Sequence, residues 1–91
     1  MNKIDMIKFG RTLTDRPYGK QVAGKLVETA NFPVSLDFAG VISLGSSFGD
    51  EVLSAIKAKQ EVPLVILNAN DAIKSCLEKV SKDLTVGLEF R

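Results

Sequence analysis

Ninety-one residues, 45% apolar and 25% charged, describe one globular domain, long enough to bury roughly 60–65% of the surface its unfolded chain exposes. The net charge of +1 comes from interleaved acids and bases, so there is neither the basic stripe of a nucleic-acid binder nor the composition of a disordered chain. With no histidine and one cysteine, Cys76, the chain lacks the residues for zinc sites, Ser-His-Asp triads, Cys-His dyads or an internal disulfide.

Taken in order, Lys3–Phe9 reads as a strand closed by Gly10. A polar connection follows over Arg11–Tyr18, in which Thr14 or Asp15 can cap the next helix and Pro17 suits its first turn. That helix runs to about Ala30 with a stripe of Val22, Leu26 and Ala30 flanked by Ala23 and Val27; Asn31 can close it in a left-handed conformation and Pro33 stops it. Val34–Phe38 alternates as a second strand, with Val34, Leu36 and Phe38 on one face and Ser35 and Asp37 on the other. A second helix is predicted over about Ser47–Lys59, with Phe48, Val52, Leu53 and Ile56 inward. Pro63–Leu67 is continuously apolar, as in a central strand covered on both faces or paired on both edges. Ile73, Cys76, Leu77 and Val80 form the stripe of a third helix, placing Cys76 in the core, and Leu84, Val86, Leu88 and Phe90 alternate in a last strand.

The order is βαβαβαβ, which requires crossovers and a mostly parallel four-stranded sheet. Because the second and fourth strands alternate, one sheet face is partly polar, and the expected architecture is a two-layer α/β sandwich with helices mainly on one face. The open face and the edges are then surfaces for a partner or for a homodimer. No apolar run approaches the roughly 18–20 residues of a membrane span, and Met1-Asn2-Lys3 leads into the first strand without a signal-peptide core, so the expected location is cytoplasmic and without membrane attachment.

Gly45-Ser46-Ser47 sits where a strand-derived loop feeds a helix, a place where backbone N–H groups lack partners and the helix dipole favours an anion. One reading of these serines is an N-cap, with Ser47-x-x-Asp50 as a capping box; the other is a phosphorylation site. The surrounding run, LDFAGVISLGSSFGDEVL, resembles the signature of STAS domains, the fold of bacterial anti-sigma factor antagonists. It is more similar to a small uncharacterised STAS-like family, through Leu36, Asp37, Phe38, Gly40, Val41, Gly45, Phe48, Asp50 and Glu51, and Gly10–Leu26 resembles that family's first loop and helix. Two positions depart from the antagonist pattern: Gly45 replaces the aspartate before the serines, and Phe48-Gly49 replaces Gly-Leu.

The resemblance implies a STAS-like sandwich over residues 1–91 and a regulatory protein-interaction module. Its partner would be an ATPase-type serine kinase of the anti-sigma factor class, with Ser46 at the phosphoacceptor position and Ser47 beside it. Asp37, Gly40 and Gly45 would shape the loop. Asp37, Gly45, Phe48, Asp50 and Glu51, with Arg16 and Lys20 of the first loop and helix, are the expected partner-binding residues. Alternatives are a constitutive binding or assembly module without the switch, and a small-molecule- or nucleotide-binding domain. Asp50 and Glu51 point about 100° apart on a helix and do not converge on one substrate atom, so neither catalysis nor a metal or cofactor is expected.

Overall fold

The computed structural model describes residues 2–91. Strand β1 (Asn2–Asp5) passes through a 3₁₀ turn (Met6–Phe9) to the two-residue strand β2 (Thr12–Leu13), and helix α1 (Arg16–Thr29) follows. Strands β3 (Val34–Asp37) and β4 (Ser43–Leu44) precede helix α2 (Ser46–Lys57). Strand β5 (Leu64–Leu67), helix α3 (Asp71–Leu84) and strand β6 (Leu88–Phe90) complete the chain.

The main sheet is wholly parallel, in the order β1-β3-β5-β6, and β2 pairs with β4 in a second, two-stranded parallel sheet. Each main strand therefore lies beside the preceding one. Crossovers of one hand, all stepping in the same direction, set every helix on the same side. The helices form that single layer, α1 against α2 and α2 against α3. This is the expected two-layer arrangement, and β5, like β3, is a central strand paired on both edges.

Register explains the two faces. Ile4, Leu36, Ile66 and Phe90 run side by side toward the helices and join a core built with Met6, Leu13, Val34, Phe38, Phe48, Leu53 and Leu77. The opposite face carries the rows Lys3, Ser35, Val65, Glu89 and Asp5, Asp37, Leu67.

Several boundaries differ from the expectation. The first strand ends at Asp5 rather than Phe9, because its only neighbour, β3, leaves the sheet after Asp37. Helix α1 ends at Ala30 in extended backbone, not through a left-handed Asn31, and Val27 of its expected stripe is exposed. Leu84 is the last residue of α3, which Thr85 closes with a left-handed φ of 55°, so the last strand is shorter than its alternation. Cys76 is half-buried against the core, where burial pushes its thiol pKa up; the thiolate is disfavoured and the residue acts as packing.

Candidate functional site

Asp15 caps α1 by accepting a 2.8 Å hydrogen bond from the Tyr18 backbone N–H, with Pro17 in the first turn, as the sequence predicts. The start of α2 is different. Gly45, not a serine, is the N-cap: its carbonyl accepts the first helical bond from Gly49 N–H at 3.0 Å, and no side chain caps the helix. Ser46 and Ser47 are thus the first two helical residues, and the capping-box expectation is corrected.

Space decides this. A Cβ placed on Gly45 would lie 2.9 Å from Thr14 Cα and 3.1 Å from Thr14 O, so a serine could cap here only by pushing the two chain segments apart. The same contact is held by the Gly45 N–H, which donates to Leu13 O at 2.8 Å alongside the β2–β4 pairing. About one turn along, Gly19 of α1 lies against the backbone of Phe48, where a Cβ would be 3.0 Å from Phe48 Cα and 3.2 Å from Phe48 O. The N-terminal turns of α1 and α2 are joined at backbone distance. Ser46 is therefore presented, exposed, on a firm support.

The charged residues separate into two groups. Arg16 donates to Asp50 Oδ2 at 3.1 Å and pairs with Glu51, so three of the expected partner-binding residues are already engaged with one another. Lys20, one turn further along α1, is exposed and, among the described residues, makes no ion pair. Ser46 lies four positions before Asp50 and Ser47 four before Glu51, which puts them on the same side of α2 as the Arg16 bridge. Phe48 is wholly buried, with its ring 5.8 Å from that of Tyr18, and it anchors the turn from beneath.

Asp37 lies apart from this group, on the open sheet face. It is 7% exposed, and its Oδ1 accepts from Ala39 N–H at 2.9 Å and from Asn68 Nδ2 at 3.0 Å. Lys3 Nζ stands 3.4 Å from the other oxygen. The Ala39 N–H first, then the Asn68 amide, hold its carboxyl pKa below the ordinary value, against the opposing effect of burial. The carboxylate ties Lys3 of β1, the end of β3 and the β5–α3 loop together. Its bonds are used inside the fold, which leaves its Oδ1 engaged by Ala39 and Asn68 rather than offered to a partner. Asn68, with a left-handed φ of 56°, is the partner that the sequence reading missed; an Asn at the end of an apolar strand was its only signal.

An open cleft of about 240 Å³ lies at the other end of α2, lined by Ile56, Lys57, Gln60, Val62, Leu64 and Val86 among others. It is below the roughly 300–1,000 Å³ of ordinary small-molecule sites. No group of three or more metal-ligating side chains occurs among the described residues, and no described helix is long and apolar enough to cross a membrane.

No protein family, curated protein or solved structure matches this chain.

Proposed function

We propose that the protein is a cytoplasmic, regulatory interaction module of STAS-like type, switched by phosphorylation of Ser46 by an ATPase-type serine kinase that is also its partner. The observation that carries this reading is the position of Ser46: exposed, first in α2, and not used as the helix cap. In the transfer, Ser46 Oγ attacks the γ-phosphorus of the kinase's ATP, the hydroxyl proton passes to a base on the kinase, and ADP departs.

A phosphoserine adds about −1.5 to −2 charge. The α2 dipole favours it by roughly 0.3–1 kcal/mol, and repulsion from Asp50 opposes it at a similar scale. Because α1 and α2 touch at Gly19 and Gly45, the added charge changes the surface without moving the helices. The switch acts on the partner interface and leaves the fold in place.

The test combines stability and binding. Since Gly45 holds the cap position, Ser46→Ala should change unfolding free energy by no more than about 0.5 kcal/mol. It should still bind the kinase while no longer being phosphorylated, whereas Ser46→Asp should bind more weakly. Intact-mass analysis of protein from its native host should show a phosphorylated fraction. Absence of that fraction under all growth conditions, together with wild-type binding by Ser46→Asp, would overturn the switch and leave a constitutive binding module.

A further inference from the structure

The main sheet ends in two edge strands, β1 and β6, and they differ in what they offer a further strand. In a strand, the N–H and C=O of one residue point to one side and those of the next residue to the other. Asn2 N–H donates to Pro33 O at 3.2 Å, so Asn2 and Ile4 turn their backbone groups toward β3. Lys3 therefore turns both of its groups outward, and Asp5 its N–H. The side chains of these two residues share the open face of the sheet: Lys3 Nζ lies 3.6 Å from Asp5 Oδ1 and 3.4 Å from Asp37 Oδ2. Both side chains are more than half exposed. Ile4, between them, lies on the helix side and is buried. Along its free edge, β1 thus presents a cation and an anion on either side of a core isoleucine.

This order is complementary to itself. An antiparallel copy of β1 can hydrogen-bond to it only where outward residues face outward residues, which leaves three registers. Lys3 opposite Lys3, or Asp5 opposite Asp5, sets like charges side by side. Lys3 opposite Asp5 sets unlike charges together, twice by symmetry, with Ile4 against Ile4 on the two-fold axis. In that register the Asp5 N–H of each copy donates to the Lys3 carbonyl of the other. The axis is perpendicular to the sheet, so the helices of both copies stay on one side. The β6 edge fails the same test. Arg91 N–H donates inward to Ile66 O at 2.8 Å, so Leu88 and Phe90 are the outward residues. The register that pairs Leu88 with Phe90 puts Glu89 against Glu89 on the axis, where cross-strand neighbours are closest.

We infer that β1 is the pairing edge for a second copy of this chain, joined antiparallel with Lys3 opposite Asp5, so that two four-stranded sheets become one of eight strands. Lys3 keeps its Asp37 contact and exchanges its own Asp5 for that of the second copy. One short strand a side is a small interface, so the dimer is reversible and depends on concentration. The inference goes beyond the Ser46 reading and stands without it, because Ser46 begins α2 and is no part of this edge.

Sedimentation equilibrium of the intact chain over a range of concentrations tests this. Wild type should show a reversible monomer–dimer equilibrium. Asp5→Lys and Lys3→Glu each make both facing pairs like-charged and should weaken dimerisation about tenfold or more. Their equimolar mixture should restore it, because every facing pair is then unlike. Asp5→Pro removes the outward N–H and no bond to β3. The Asp5 φ of −82° is close to that of proline, so this variant should fold and stay monomeric. Melting curves confirm folding. Asp5→Lys and Asp5→Pro leave the Lys3–Asp37 contact in place and carry the test even where Lys3→Glu costs stability. A wild-type chain that is monomeric at every concentration overturns the inference and leaves the edge to a strand of a different protein. A dimer that Asp5→Lys and Asp5→Pro leave intact overturns it by placing the contact elsewhere. Folded Asp5→Lys and Lys3→Glu that fail to associate when mixed overturn the register.

Discussion

Strand β3 shows in four residues how the two sides of this sheet are held by different physics. Toward the helices, Val34 and Leu36, continued by Phe38, are secured by volume: each fills space in a close-packed core. Toward the open side, Ser35 and Asp37 are nearly as inaccessible, yet no helix covers them, and Asp37 is secured by named hydrogen bonds. Low exposure thus has two meanings in one strand. The inner side tolerates no loss of volume and is indifferent to pH, whereas the outer side depends on one charge state.

The largest effect that would sharpen this contrast is expected for Phe38→Ala, which should cost about 3–5 kcal/mol in urea unfolding, with the same loss at pH 7 and pH 5. A loss under 1 kcal/mol would break the assignment of this residue to the core side. Asp37→Ala should cost about 1–3 kcal/mol at pH 7, because it leaves the Ala39 N–H and the Asn68 amide without their acceptor. Its signature is pH dependence. The folded pKa of Asp37 lies below its ordinary 3.8, so its contribution is complete above that value and is lost as pH falls through the folded value. Asp37→Asn should therefore flatten the acid limb of the stability curve relative to wild type. An unchanged acid limb would mean that the outer side, too, is held by shape alone.

Helix α1 allows the same contrast at smaller scale through two glycines. Gly19 faces Phe48 of α2, and a methyl group there forces backbone apart, so Gly19→Ala should destabilise by about 1–3 kcal/mol less the helix-propensity gain of about 0.5–1. Gly24 has nothing within 4 Å of the position its Cβ would take, and Gly24→Ala should stabilise by about 0.4–1 kcal/mol. Melting temperatures that move in the same direction for both would refute the close α1–α2 junction.

Much of this architecture is legible in the residues, for reasons of periodicity. The helical stripes containing Val22 and Leu26, Val52 and Ile56, and Ile73, Leu77 and Val80 identify three helices, and the apolar run at Leu64–Leu67 identifies a central strand. The errors lie where a pattern is ambiguous or a distant neighbour decides. Leu84 fits both the helical stripe of Ile73, Leu77 and Val80 and the alternation of the last strand, and the helix takes it. Met6 continues the alternation of β1 but has no partner strand. Serine is the preferred cap by chemistry, yet Thr14, thirty-one positions before Gly45, leaves room only for glycine. The Arg16 bridge to Asp50 and Glu51 spans more than thirty residues and leaves no local trace. The Ser46 position is readable as a helix start; its freedom from the cap is not.

The side-by-side strand order has a consequence for synthesis of the chain. Every main-sheet pairing joins a strand to the next one across a single helix, so the sheet can grow one strand at a time as the polypeptide leaves the ribosome. Until β6 emerges, the growing edge is β5, Leu-Val-Ile-Leu, with no charge, proline or bulge to discourage pairing with a neighbouring nascent chain. Glu89 of β6 and the following Arg91 put charges on that side of the sheet and end the exposure. Slowed translation or loss of β6 should therefore appear first as aggregation during synthesis.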